Sequence, residues 1–336
     1  MRRLVIIALI LLTIPTLVVW RQYCATYRDE GSRADYLEIE EPGKIDLDPA
    51  KFRAGGVPIL CYHYLRGPAG PVYLLRVLGA VLFNLPTLRE REYWTTPADL
   101  FVRHMEWLLQ NGYTTIDLDE LEEILAGKEI GPAKPIVITF DDGDTSILRY
   151  AYPFLARHGM KATVMVVTSK VGQRWKDVNT LSWAQLRMLE KSGVFRVESH
   201  SDDMHYKVKG PHGKMEPVFL HEVPYEGPPL PQGKLFVSLD LRRSTQSLKK
   251  HLGHEARWLA WPYGWASSPL DSLAEHEGYH GSLSLAAGTN EPGRDSTWHL
   301  ARITITARTT LRSFRQLMRA AEREAPSIAQ SPRTAP

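Results

Sequence analysis

Cysteine is nearly absent: Cys24 and Cys61 are the two in 336 residues. That excludes a disulfide scaffold and leaves at most one bridge, Cys24–Cys61, which nothing in the pattern supports. Two unpaired thiols are the expectation. Net charge is small as well. Lys and Arg total 41 against 38 Asp and Glu, a formal +3, too little for the electrostatic footprint of a nucleic-acid partner. No segment repeats. Uncharged runs long enough to matter to a membrane are scarce, and the longest, Leu4 to Trp20, lies at the N-terminus.

That run follows Met1-Arg2-Arg3 and sits at the low end of spanning length. Tyr23-Cys24-Ala25 is a poor small-x-small cleavage site. Residues 1–20 are therefore expected to be an uncleaved signal anchor, with a cleaved signal as the alternative. Arg2 and Arg3 favour a cytoplasmic N-terminus, against Arg21 and Arg28 on the other flank. Either way the body is expected on the extracytoplasmic side of the inner membrane, held by a single pass where the segment stays uncleaved. Residues 21–55, polar and mixed in charge, read as a spacer. Residues 56–324 form the domain, and 325–336 read as a disordered tail.

What is plentiful is ordinary for a globular chain: 43% hydrophobic and 24% charged residues. Nine Trp and fourteen Tyr hint at carbohydrate stacking, though such residues serve cores equally well. Strands are predicted at 57–62 and near 136–140, 162–167, 194–198, 257–261, 280–285 and 301–305. Helices are predicted at 97–111, with Thr96 as N-cap and Gly112 as stop, and at 119–126. Further helices are predicted near 147–158, 182–192, 240–251, 269–277 and 309–323. Apolar strands alternating with helices indicate a parallel sheet, and seven or eight units in about 270 residues indicate an α/β fold of the (β/α) barrel type. Two stretches interrupt the alternation. Leu65 to Thr95 carries an apolar segment at Val72–Phe83, and Lys207 to Lys234 is a proline-rich loop.

Chemistry gathers at predicted strand ends. Thr139-Phe140-Asp141-Asp142-Gly143 closes one strand, and His200-Ser201-Asp202-Asp203-Met204-His205 follows another. Asp-Asp-Gly is also common turn chemistry. Successive side chains at a strand end point apart, so one aspartate can bind a metal while its neighbour takes a proton from water. Two histidines five apart are not helically spaced, so a curled loop must bring them to one ion. Asp202 and Asp203 read as solvated turn residues, with support of the ligands from behind as the alternative. His63, after Leu60-Cys61-Tyr62, reads as a buried histidine fixing a loop or, since an unperturbed imidazole titrates near neutrality, as the group that protonates a leaving amine. Trp261-Pro262-Tyr263-Gly264 can aim a backbone N–H at a developing oxyanion.

Thr-Phe-Asp-Asp-Gly, His-Ser-x-x-x-His and Trp-Pro-Tyr-Gly, in this order and spacing, resemble the polysaccharide deacetylase family, carbohydrate esterase family 4, over roughly Val57 to Ala321. The resemblance implies a distorted (β/α) barrel. It implies Asp141 as general base, Asp142, His200 and His205 as ligands of a divalent ion, usually Zn2+, and the Tyr263 N–H in an oxyanion hole. The early Tyr62-His63 and the His-x-x-x-x-His spacing resemble the poly-N-acetylglucosamine deacetylases of biofilm systems, with His63 as the acid. The implied reaction is N-deacetylation of a GlcNAc-containing polysaccharide substrate. The alternatives are peptidoglycan or another acetylated glycan, or a non-catalytic glycan-binding module. The chain departs from the family pattern at Ala260, where an arginine is usual, leaving Arg257 or Arg302 to hold Asp141. It also lacks a late Leu-x-x-His motif.

Overall fold

Buried β-branched and aromatic runs build the strands, as expected where both faces of a parallel sheet are covered. The computed structural model describes residues 52, 55–67, 91–128, 131–175, 178–210, 213–222 and 231–322. The N-terminal half holds β1 (Ile59–Tyr62), β2 (Tyr64–Arg66), β3 (Thr95–Pro97), α1 (Ala98–Gln110), β4 (Thr114–Thr115), α2 (Leu118–Leu125) and β5 (Pro135–Phe140). A π-helical turn (Ile147–Ala151) leads into α3 (Tyr152–Arg157), then β6 (Ala162–Val166), β7 (Arg174–Trp175), β8 (Val178–Asn179), α4 (Trp183–Lys191) and β9 (Phe195–Ser199). The remainder is β10 (Lys207–Lys209), β11 (Met215–Pro217), α5 (Val218–Glu222), α6 (Pro231–Leu252), β12 (Trp258–Ala260), α7 (Ser268–His276), β13 (Gly281–Leu283), β14 (Ile303–Thr304) and α8 (Leu311–Glu322).

The main sheet runs β13-β12-β9-β6-β5-β1-β14, with β4 added beside β5, and its pairings are parallel. One short segment joins its two ends. Leu300 bridges Leu283 of β13, and Ile303 pairs with Leu60 of β1. This arrangement is consistent with a (β/α) barrel.

Side-chain alternation sorts the strands into two cores. Leu60, Tyr62, Ile138, Phe140, Val164, Val197 and Leu259 pack with helix residues such as Phe101, Leu186, Leu241 and Phe314. The alternate residues Ile59, Val137, Met165, Trp258, Ala260 and Leu283 form a separate inner cluster, joined by Leu118, Leu121 and Leu125 of α2. Cys61, Thr139 and Asp141 share the inward parity of Ile59 and Val137. The period-2 pattern thus aims Asp141 into the barrel.

Several expectations are corrected. Thr96 is not a helix cap. It lies in β3, pairing with Leu65 of β2, and α1 starts from Pro97 with no side-chain cap. The predicted helix at 147–158 is split, because Pro153 has no N–H to give the ladder at that turn. The stretch 207–234 is not one loop. β10 and β11 pair as an antiparallel hairpin, α5 follows, and α6 begins at Pro231, well before the predicted 240. The anchor (1–20), the spacer apart from Phe52 and Gly55, the Val72–Phe83 segment and the tail lie outside the described residues, as does Cys24. Among the described residues no helix is long and apolar enough to cross a membrane. Cys61 is a buried free thiol.

Candidate active site

At the end of β5 the backbone changes hand. Asp142 and Gly143 both adopt φ of 68°, which turns the Asp142 carboxylate away from that of Asp141. Ser201 (φ 71°) and Tyr263 (φ 59°) do the same after β9 and β12. Three of the four positive-φ non-glycine residues described therefore sit at this one end of the barrel, where strained backbone marks function.

The Asp142 carboxylate is buried. Its Oδ1 lies 3.7 Å from His200 Nε2 and 3.4 Å from His205 Nε2. No hydrogen bond reaches this oxygen. Its Oδ2 accepts the Tyr64 hydroxyl at 2.5 Å. His200 Nδ1 donates to the Ala260 carbonyl at 2.7 Å, which leaves the Nε2 lone pair facing Asp142. The position where the family resemblance would place an arginine thus supplies a backbone oxygen instead. His205 is held between rings, with Trp175 edge-on at 5.1 Å and Tyr263 tilted at 4.4 Å. Candidate ligand atoms of Asp142, His200 and His205 all fall within 4.8 Å of one another. A buried carboxylate oxygen without a proton donor, facing two imidazoles, fits a divalent cation.

Asp141 is held by Arg302, not by Arg257. Arg302 Nη1 donates to Oδ1 at 2.8 Å and Nη2 to Oδ2 at 2.9 Å, a bidentate pair deep in the barrel. Arg257 lies elsewhere, tied to Glu122 and Asp119 on α2. His63 is buried and stacks on Trp94 with centroids 4.4 Å apart. His63 and Asp141, with Cys61 between them, place candidate proton-carrying atoms within 4.8 Å of one another.

A family model described as polysaccharide deacetylase matches residues 128–282, which include Asp141, Asp142, His200, His205 and Tyr263. The chain carries a polysaccharide deacetylase domain. It is 23% identical to the poly-β-1,6-N-acetyl-D-glucosamine N-deacetylase of Staphylococcus aureus strain MRSA252, over 77% of this chain and 83% of that protein. It is 34% identical to the putative polysaccharide deacetylase YxkH of Bacillus subtilis, over 34% of this chain and 39% of that one. The solved structure of IcaB from Ammonifex degensii superposes with a TM-score of 0.64 at 27% identity, covering 81% of this chain and all of that one.

The electrostatics of the deacetylase domain separate its two proton-handling groups. Burial alone would raise the Asp141 carboxyl. Arg302, helped by His200 and His63, outweighs burial and holds it well below the usual carboxylate range. Burial pushes His63 down from its ordinary value, with Asp141 and Asp142 pulling partly back. At neutral pH the site therefore pairs a fixed anion with a neutral imidazole.

The His200–His205 loop is clamped from outside. Both oxygens of Asp240, on α6, accept backbone amides, from Asp202 and Asp203, each at 2.8 Å. Asp202 also accepts the Thr168 hydroxyl at 2.6 Å, and Asp203 pairs with Lys170 at 2.7 Å. Asp202, half-buried, is tethered in the turn, while Asp203 is tethered and still exposed to solvent, as expected of it. Nothing in the sequence marks Asp240, because a lone aspartate on a helix face has no local pattern.

Burial pushes the Asp240 carboxyl up to about 7, against the downward pull of the two amides. A raised folded value means that its contribution is fully present below the unfolded value. It is lost as pH rises through about 7. Asp240→Ala is expected to flatten that part of a melting-temperature profile against pH. Freeing two amides should also cost about 1–3 kcal/mol, measured by denaturant unfolding.

Proposed function

We propose that the protein removes N-acetyl groups from a GlcNAc-containing polysaccharide, most specifically a poly-β-1,6-linked exopolymer, by metal-assisted hydrolysis of the acetamide C–N bond. The observation that carries this reading is the orphaned Asp142 oxygen facing His200 and His205, beside an Asp141 held ionised by Arg302. The Staphylococcus aureus relative and the IcaB structure support the substrate class.

Asp142, His200 and His205 would hold the ion, Zn2+ by the donor set of one carboxylate and two imidazoles. When bound, it supplies a Lewis acid for the acetamide carbonyl and increases the acidity of the attacking water. Asp141, kept anionic by Arg302, takes the proton as water oxygen bonds to the acetyl carbon. The backbone N–H of Tyr263, in its left-handed turn, stabilises the oxyanion that forms on the substrate. His63 then protonates the nitrogen as the C–N bond breaks, giving acetate and a free amine. Since burial keeps His63 neutral at rest, its proton comes from the reaction itself. Asp141 lies close enough to pass one on across a single water or the substrate. The apolar run after Arg2 and Arg3 supports action at the extracytoplasmic face of the inner membrane, with the chain anchored through residues 1–20.

The test is acetate release from β-1,6-linked GlcNAc oligomers. Activity is expected to vanish with a strong chelator and to return with added zinc. Release from peptidoglycan fragments alone would reassign the substrate. Release unaffected by the chelator would remove the metal from the reaction.

A further inference from the structure

A carboxylate that gives one oxygen to an ion leaves the other exposed to the same low-dielectric surroundings. Asp142 is 4% exposed, so its second oxygen needs a donor. Tyr64 provides it, at 2.5 Å from Oδ2. The tyrosine is itself buried and does not belong to the barrel sheet. It starts β2, which pairs in parallel with β3, Tyr64 opposite Thr95, and its N–H donates to the Trp94 carbonyl at 3.3 Å. The next residue is tied as well, with the Leu65 N–H on the Ser146 hydroxyl at 2.9 Å. The phenol is therefore a fixed donor carried on a small, separately braced ribbon. By contrast, Asp142 sits in the left-handed turn beyond the end of β5, outside the strand ladder.

We propose that Tyr64 is the positioning residue for the metal, an inference that rests on the metal reading above. By occupying Oδ2, its hydroxyl presents Oδ1 alone to the centre defined by His200 and His205. Asp142 is thereby a one-oxygen ligand, and coordination positions stay open for water and substrate. Without the hydroxyl, the carboxylate is free to rotate and to offer both oxygens. Tyr64 also directly follows His63, which lies between β1 and β2, so the acid and the residue that holds the Asp142 ligand are neighbours in the chain.

The experiment uses the full chain, stripped of metal, as wild type and Tyr64→Phe. Zinc affinity is read by competition with a chromophoric chelator, and the coordination environment by the visible absorption of the cobalt(II)-loaded protein. Circular dichroism and melting of the metal-free proteins check that the Phe variant, which lacks only one oxygen, is folded. The expected result is a zinc affinity lower by about 10- to 100-fold in Tyr64→Phe. A cobalt spectrum shifted toward higher coordination number is expected with it. Equal affinity and an unchanged spectrum overturn the role of Tyr64 while leaving the metal site standing. A wild-type chain that binds neither metal overturns the metal reading itself, and this inference with it.

Discussion

Asp141→Asn is expected to lower acetate release by about 10³-fold, the usual worth of a positioned general base. The amide keeps the shape of the side chain but cannot take a proton from water. The variant should still bind metal, because the Asp142–His200–His205 group does not include Asp141. Zinc content and acetate release, measured on the same preparation, separate the two roles. Full metal content with little release supports Asp141 as base. Loss of both would mean that the change had collapsed the site. Unchanged release would move the base role to another group, such as His63 in the same cluster.

Arg302→Met has the second large effect, and it falls first on stability. Arg302 is 0% exposed and its partner Asp141 1%. Removing one member of such a pair strands the other as a buried charge, at a cost of about 3–5 kcal/mol. The pH dependence changes sign as well. In the wild type the Asp141 carboxyl is depressed because Arg302 outweighs burial. Its contribution is present above the unfolded value and lost as pH falls toward the folded one. In the Met variant the largest opposing charge is gone, only His200 and His63 still act against burial, and the carboxyl is expected to rise. Its contribution is then present at low pH and lost as pH rises. Melting temperatures from about pH 4 to about pH 8 should fall with rising pH in the variant relative to the wild type. A constant difference across that range would show that Asp141 does not depend on Arg302 for its charge.

Much of the barrel was legible in local pattern. The run Pro135–Phe140 is apolar on both faces, ends in Asp-Asp-Gly and forms the strand expected of it. His200 and His205 do curl to one point, and a loop with Ser201 at positive φ is how they do so. The helix around Val237 and Leu241 starts at Pro231, ahead of the start near 240 that its pattern predicts. Its first two turns follow a proline-rich stretch, and its apolar face becomes evident only where it packs on the barrel.

The partners of the site were not legible, and the reason is distance along the chain. Arg302 reaches Asp141 from 161 residues away. Which arginine does so depends on how the segment 300–304 closes the ring between β13 and β1. A shift of one residue in that register would turn Arg302 outward. Asp240 reaches the histidine loop from a helix across the shell, and Tyr64 reaches Asp142 from a ribbon outside the barrel sheet.

The sequence alone determined the alternation of strands and helices, the divergence of Asp141 from Asp142 and the pairing of carboxylate and imidazole at strand ends. These follow from periods of two and 3.6 residues and from side-chain chemistry, both of which are local. Tertiary structure decided which arginine fixes the anion, which oxygen of Asp142 is left to face the histidines and what holds the loop between them. Those choices depend on register, barrel closure and burial, which arise only when segments far apart in the chain pack together.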